Sequence, residues 1–158
     1  MKKFDLILYN GEEILDLRLK LLYNHVDYFI ISEFNRTFQN KKKPYYFDIN
    51  QFKKFKKKII YKKRKLPNNF KRGKTTWDIQ AYQRDSLDKD VNIKDRDMII
   101  LSDVDEIIEP SKLRYKYNEI ERYELLNLRF YGNYINLSSP WWRQPLSTSY
   151  NVAKDIGL

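Results

Sequence analysis

Between Met98 and Ile107 the chain reads Met-Ile-Ile-Leu-Ser-Asp-Val-Asp-Glu-Ile, four apolar residues and then three carboxylates within four positions. An apolar run of this length is a buried strand. Its acids then emerge at the C-terminal end, where open α/β sheets bind their ligands. Asp103 and Asp105 make a short, all-oxygen pair, the donor type that suits a hard divalent cation such as Mg²⁺ or Mn²⁺. Such a cation usually arrives with a substrate's phosphates, so the pattern reads as a metal–diphosphate site. Acids after a strand also cap helices, and Asp105 or Glu106 suits a helix opening near Pro110-Ser111. The motif alone leaves both readings open.

Holding such a site takes a sheet, and the patterning predicts one. Phe4 to Tyr9 is a first strand ending at the turn pair Asn10-Gly11. From Glu12 the period changes: Ile14, Leu15, Leu17, Leu19, Leu21 and Leu22 crowd one helical face. Acids come early there, with Arg18 and Lys20 later, as the helix dipole favours. Tyr28 to Ser32 and Lys58 to Tyr61 are the next strands. Thr75 or Thr76 is placed to cap a helix with an apolar stripe of Trp77, Ile79, Ala81, Tyr82 and Leu87. Met98 to Leu101 is the fourth strand, and Glu124 to Asn136 reads as one or two longer strands broken near Gly132-Asn133. Strands alternating with helices predict an α/β fold, a mainly parallel sheet flanked by helices.

A chain of 158 residues fits one domain with a proper core. Without cysteine it has neither a disulfide framework nor a thiolate metal site. No apolar run reaches bilayer length. Met1-Lys2-Lys3 before Phe4 to Leu8 mimics a signal peptide, but Asp5 and Asn10-Gly11-Glu12 break it. The expectation is a cytoplasmic protein, peripheral to a membrane at most.

The net charge of +10 is regional: positions 41 to 74 carry +14, and the remainder sums to −4. A lysine-rich stretch is either a solvated face or a surface for an acidic partner, anionic lipid or nucleic acid. For nucleic acid, Tyr45, Tyr46, Phe47, Phe52 and Phe55 would be the stacking surfaces.

Several ordered segments resemble glycosyltransferase family 17. They are Phe4 to Glu12, Val26 to Phe38, Lys43-Pro44-Tyr45-Tyr46-Phe47, Tyr82-Gln83-Arg84, Ile100 to Ile107, and Phe130 to Leu137. The resemblance covers nearly the whole chain. It implies a GT-A-like nucleotide-sugar fold, a divalent cation, and inverting transfer from a UDP-sugar, UDP-N-acetylglucosamine, to a glycan or glycolipid acceptor. By analogy Asp105 is the direct metal ligand, and Asp103 acts through water or on the ribose. Arg84 becomes a phosphate partner or else a surface arginine. Asn10 and Glu33, at strand ends on one rim, are donor contacts or turn residues. Trp141-Trp142 after Pro140 offers an acceptor platform or plain packing.

The chain departs from the family pattern in two places. Ile108-Glu109 intervene before Pro110, where the family has proline directly after the isoleucine. The family also continues beyond this length through a histidine-bearing segment, so the expectation is a single GT-A-like domain lacking the C-terminal part. Its site would then be completed elsewhere, as in a homo-oligomer. The only histidine, His25, reads as a helix-end residue. Glu106 is the nearest carboxylate for a catalytic base. Haloacid-dehalogenase-like phosphatases also place Asp-x-Asp after a strand, but near the N-terminus and with Thr or Val where this chain has Ile107.

Overall fold

The computed structural model describes residues 1–67, 70, 77–126, 129–131, 134–136 and 141–156. Four strands of the main sheet are parallel: β1 (Lys3–Leu8), β2 (Tyr28–Phe34), β3 (Ile59–Arg64) and β4 (Met98–Leu101). Three shorter strands, β5 (Glu121–Arg122), β6 (Leu125–Leu126) and β7 (Arg129–Tyr131), follow. β8 (Tyr134–Asn136), β9 (Trp141–Trp142) and β10 (Leu146–Ser149) come last. The main sheet runs β3-β2-β1-β4-β10-β5, with β10 antiparallel to both of its neighbours. β6 pairs with β9, and β7 with β8, as small separate ribbons.

β1, β2 and β4 are apolar almost throughout because both faces are covered. Ile7, Phe29, Ile31 and Ile100 point to one side, against Leu15, Leu19 and Leu22 of α1 (Leu15–Leu22). Leu6, Leu8, Ile30 and Ile99 point to the other. There they meet Tyr82 of α2 (Trp77–Arg84) and Ala153 of α3 (Tyr150–Ile156). Alternate side chains thus serve two cores from one backbone.

Two expectations need correction. The first helix does not bury its whole leucine face: Leu17 and Leu21 are exposed, and Arg18 is fully buried in their place. Two rows of leucine cannot both face one sheet, and the row at Leu15, Leu19 and Leu22 wins. In α2, Trp77 and Ala81 are exposed while Ile79 and Gln83 are buried. Between Glu124 and Asn136 the described residues include the strand segments β6, β7 and β8. The proposed caps Thr75 and Thr76, and Gly132-Asn133, lie outside the described residues.

Candidate functional site

Chain order along the sheet reverses between β1 and β4. From β1 the chain steps outward to β2 and β3, then returns to place β4 on the other side of β1. Ligands of doubly wound sheets bind beyond the carboxyl ends of the strands at such a reversal. Leu6 pairs with Leu101, so Asn10 and Asp103 to Asp105 emerge on the same rim. Leu8, Asn10, Glu12, Phe38, Asp103, Val104 and Asp105 line a crevice there of about 170 Å³. A neighbouring cavity of about 330 Å³ shares Leu8 and Asp103, and adds Arg84, Glu106 and Arg122 over an apolar floor.

The acidic loop is held from beneath. Arg18 Nε donates to Asp5 Oδ2 at 2.9 Å and Nη2 to Oδ1 at 2.6 Å, both side chains being fully buried. Its Nη1 reaches the carbonyls of Asp103 at 2.6 Å and Glu106 at 3.3 Å, and Nη2 also meets Ser102 Oγ at 2.7 Å. A guanidinium has enough donors to serve a strand carboxylate and a loop together. Sequence reasoning missed this clamp, although Asp5 inside an apolar strand was its signal: a buried carboxylate needs a partner.

Glu106 closes the loop. Its Oε2 accepts the Asp103 N–H at 2.8 Å, and its own N–H donates to the Asp103 carbonyl at 3.0 Å. Glu106, the candidate catalytic base, is buried, fixes the Asp103 backbone and lines the larger cavity. The helix near Pro110-Ser111 is a single 3-10 turn, Pro110–Lys112, with no side-chain cap. The capping role for Asp105 or Glu106 is therefore absent.

With its backbone pinned, Asp103 turns its carboxylate to Arg84, whose Nη2 lies 2.5 Å from Oδ1. Asp105 is exposed at the crevice mouth and makes no ion pair with a described residue. Among the described residues no group of three or more His, Cys, Asp or Glu stands together for a metal. Two carboxylates without a third still suit Mg²⁺ or Mn²⁺, which keep waters and take their remaining oxygens from substrate phosphates. The donor set therefore fits a cation shared with a diphosphate.

Asn10 lies on the rim as expected. Its N–H donates to Glu12 Oε2 at 2.7 Å, and its Oδ1 is buried with no hydrogen-bond partner among the described residues. Gly11 permits this turn: its φ is +102°, and a Cβ would stand 2.9 Å from Tyr46 Cδ2.

Glu33 does not reach the crevice, which corrects its reading as a donor contact. Oε1 accepts from Lys43 Nζ at 2.9 Å and Tyr46 N at 2.7 Å. Oε2 accepts from Phe47 N at 3.1 Å and Tyr61 Oη at 2.7 Å. Burial raises the pKa of this carboxyl, but the four donors outweigh burial and leave it lowered. Burial and the Glu33 charge in turn push the Tyr61 hydroxyl well up, so it stays a donor. Glu33 anchors the segment after β2.

Trp141 and Trp142 form β9, paired with Leu126 and Leu125; their side chains lie outside the described residues. His25 is exposed in the turn after α1.

The basic region divides in two. Lys43 pairs with Glu33, and Lys58 Nζ donates to the carbonyls of Tyr23 at 2.6 Å and Val26 at 2.8 Å, just past α1. Lys53, Lys54, Lys56 and Lys57 are exposed on the 3-10 helix Lys53–Lys58, which buries Phe55. Lys62, Lys63 and Arg64 lie on edge strand β3, where charge discourages pairing with other chains. Phe47, Phe52 and Phe55 are core residues, so three of the five rings expected to stack on bases are unavailable, while Tyr46 is exposed and Tyr45 half-buried.

The sequence model of glycosyltransferase family 17 matches residues 1–145, taking in every element from β1 to β9. No curated protein and no solved structure matched. The matched span is that of a sugar-transferring α/β enzyme. The chain belongs to glycosyltransferase family 17, and its class of reaction is transfer from a sugar donor to a glycan acceptor. That membership removes the phosphatase reading. Among the described residues no helix is long and apolar enough to cross a membrane.

Proposed function

We propose that the crevice between β1 and β4 takes UDP-N-acetylglucosamine with Mn²⁺ or Mg²⁺, in a GT-A-type arrangement. The sugar then passes with inversion to a glycan or glycolipid acceptor. One observation carries this reading. Asp103-Val104-Asp105 leaves β4 at the reversal of strand order, with Asp105 exposed beside Asn10 and Glu12. Asp105 and Asp103 would hold the cation, which supplies Lewis-acid charge to the diphosphate when bound.

The chain's own residues do the rest. As the acceptor hydroxyl oxygen bonds to the anomeric carbon, its proton is lost to water, the bond to the leaving phosphate breaks and negative charge gathers on UDP. Arg84, lining the cavity beside Asp103, offsets that charge through a guanidinium fork that matches phosphate oxygens. Asn10, which lines the crevice, would contact the nucleoside. The Arg18 clamp holds the acidic loop, so its carboxylates need not be ordered on binding. Trp141 and Trp142 would give the acceptor sugar an aromatic platform. The exposed lysines from Lys53 to Lys57 would meet anionic headgroups.

Calorimetry of the purified chain against UDP tests the core of the proposal. Binding should be far tighter with Mn²⁺ than with the metal chelated. UDP affinity that ignores the metal would sink it.

A further inference from the structure

Asp103 already has a cation beside it. The Arg84–Asp103 contact joins one Nη to one Oδ at 2.5 Å, with the side chains 40% and 44% exposed. Such half-exposed, single-point pairs are weak and readily exchanged. The rest of Asp103 is fixed, its N–H on Glu106 and its carbonyl on Arg18, so only the carboxylate is free to change partners. Arg84 is the last residue of α2, and its side chain lines the same 330 Å³ cavity as Asp103. A guanidinium binds carboxylate and phosphate with one and the same fork, and binds phosphate bidentately.

We propose that Arg84 is an exchangeable counter-ion that couples cation binding to donor binding. This rests on the donor reading above and adds its control. A cation alone must displace Arg84 from Asp103, while a diphosphate alone meets the charge of Asp103 and Asp105. Together they resolve both conflicts: the guanidinium moves from carboxylate to phosphate, and the cation takes the vacated oxygen. Each ligand therefore raises the affinity of the other by the same factor, as linkage requires. Arg84 ends this exchange in contact with the donor phosphate, and before the exchange it protects the acidic loop from collecting stray cations.

The test is Mn²⁺ binding, read from the spin-resonance signal of the free ion, without and with UDP. The proteins are the wild type, Arg84→Gln and Arg84→Lys, each checked for unchanged thermal melting. Wild type should bind Mn²⁺ weakly alone and much more tightly with UDP. Arg84→Gln should bind Mn²⁺ alone more tightly, on the order of fivefold, because the competing charge is gone. Its enhancement by UDP should shrink accordingly. Arg84→Lys keeps the competing charge but loses the fork, so it should bind Mn²⁺ alone like wild type and UDP less well. Unchanged or weaker Mn²⁺ binding by Arg84→Gln alone, with metal-dependent UDP binding intact in wild type, overturns the exchange and spares the donor reading. Metal-independent UDP binding in wild type overturns the donor reading and the exchange with it.

Discussion

Arg18 on α1 and Asp5 in the middle of β1 form a fully buried ion pair joined by two hydrogen bonds, at 2.9 and 2.6 Å. The same guanidinium carries on to the backbone of the acidic loop, at the carbonyls of Asp103 and Glu106. A pair that would be merely costly in a core thereby links the first strand to the loop after the fourth.

Breaking that pair from one side should be severe. Arg18→Met leaves Asp5 charged and alone among apolar side chains, at a cost of about 3–5 kcal/mol. Adding Asp5→Leu to Arg18→Met should recover much of this, because no charge is then stranded. Urea unfolding of the two single variants and the double variant checks the cycle. Equal losses in Arg18→Met and in the double variant would contradict it.

Asp105→Asn should abolish the dependence of UDP binding on Mn²⁺ and leave the melting temperature unchanged. The side chain is exposed and supports no described ion pair, so the fold has nothing to lose. Calorimetry with and without metal, beside a thermal melt, reads both halves.

Glu33 makes stability depend on pH in a definite direction. Its pKa is lowered in the folded state, so its contribution is complete above the unfolded value and disappears as pH falls through the folded one. Glu33→Gln should cost about 1–3 kcal/mol near neutrality, since an amide cannot accept all four hydrogen bonds. The gap between wild type and variant should narrow in acid, below about pH 4. Denaturant midpoints across a pH series give the answer, and a gap that widens in acid would refute it.

The two kinds of lysine should separate cleanly. Lys58→Gln removes the donor to the carbonyls past α1 and should lower stability by about 1 kcal/mol, whereas Lys57→Gln should be silent. Replacing Lys53, Lys54, Lys56 and Lys57 together by Gln should reduce sedimentation with anionic vesicles at low salt. UDP affinity should not change, because these residues precede β3 and so lie at the amino ends of the parallel strands, opposite the crevice. Equal sedimentation of both proteins would leave the lysines as a solvated face.

Local pattern was enough to reveal β1, β2, β4, α1 and α2, because period and apolar runs are properties of neighbouring residues. The acidic motif and its place at a strand end were legible for the same reason, and so was the family, which rests on ordered short segments. Tertiary structure alone decided which strand lies beside which. That β4 returns to the flank of β1, making the crevice, depends on pairings such as Leu6 with Leu101, far apart in the chain. It also decided the fate of charges. Arg18 looks like any surface helix arginine until Asp5 is brought beneath it, and Lys43 like any surface lysine until it meets Glu33. Phe47, Phe52 and Phe55 look available in a basic stretch until the sheet offers them a core. Burial and ion pairing are set by the partner that folding supplies, and a residue's own neighbours in sequence do not specify that partner.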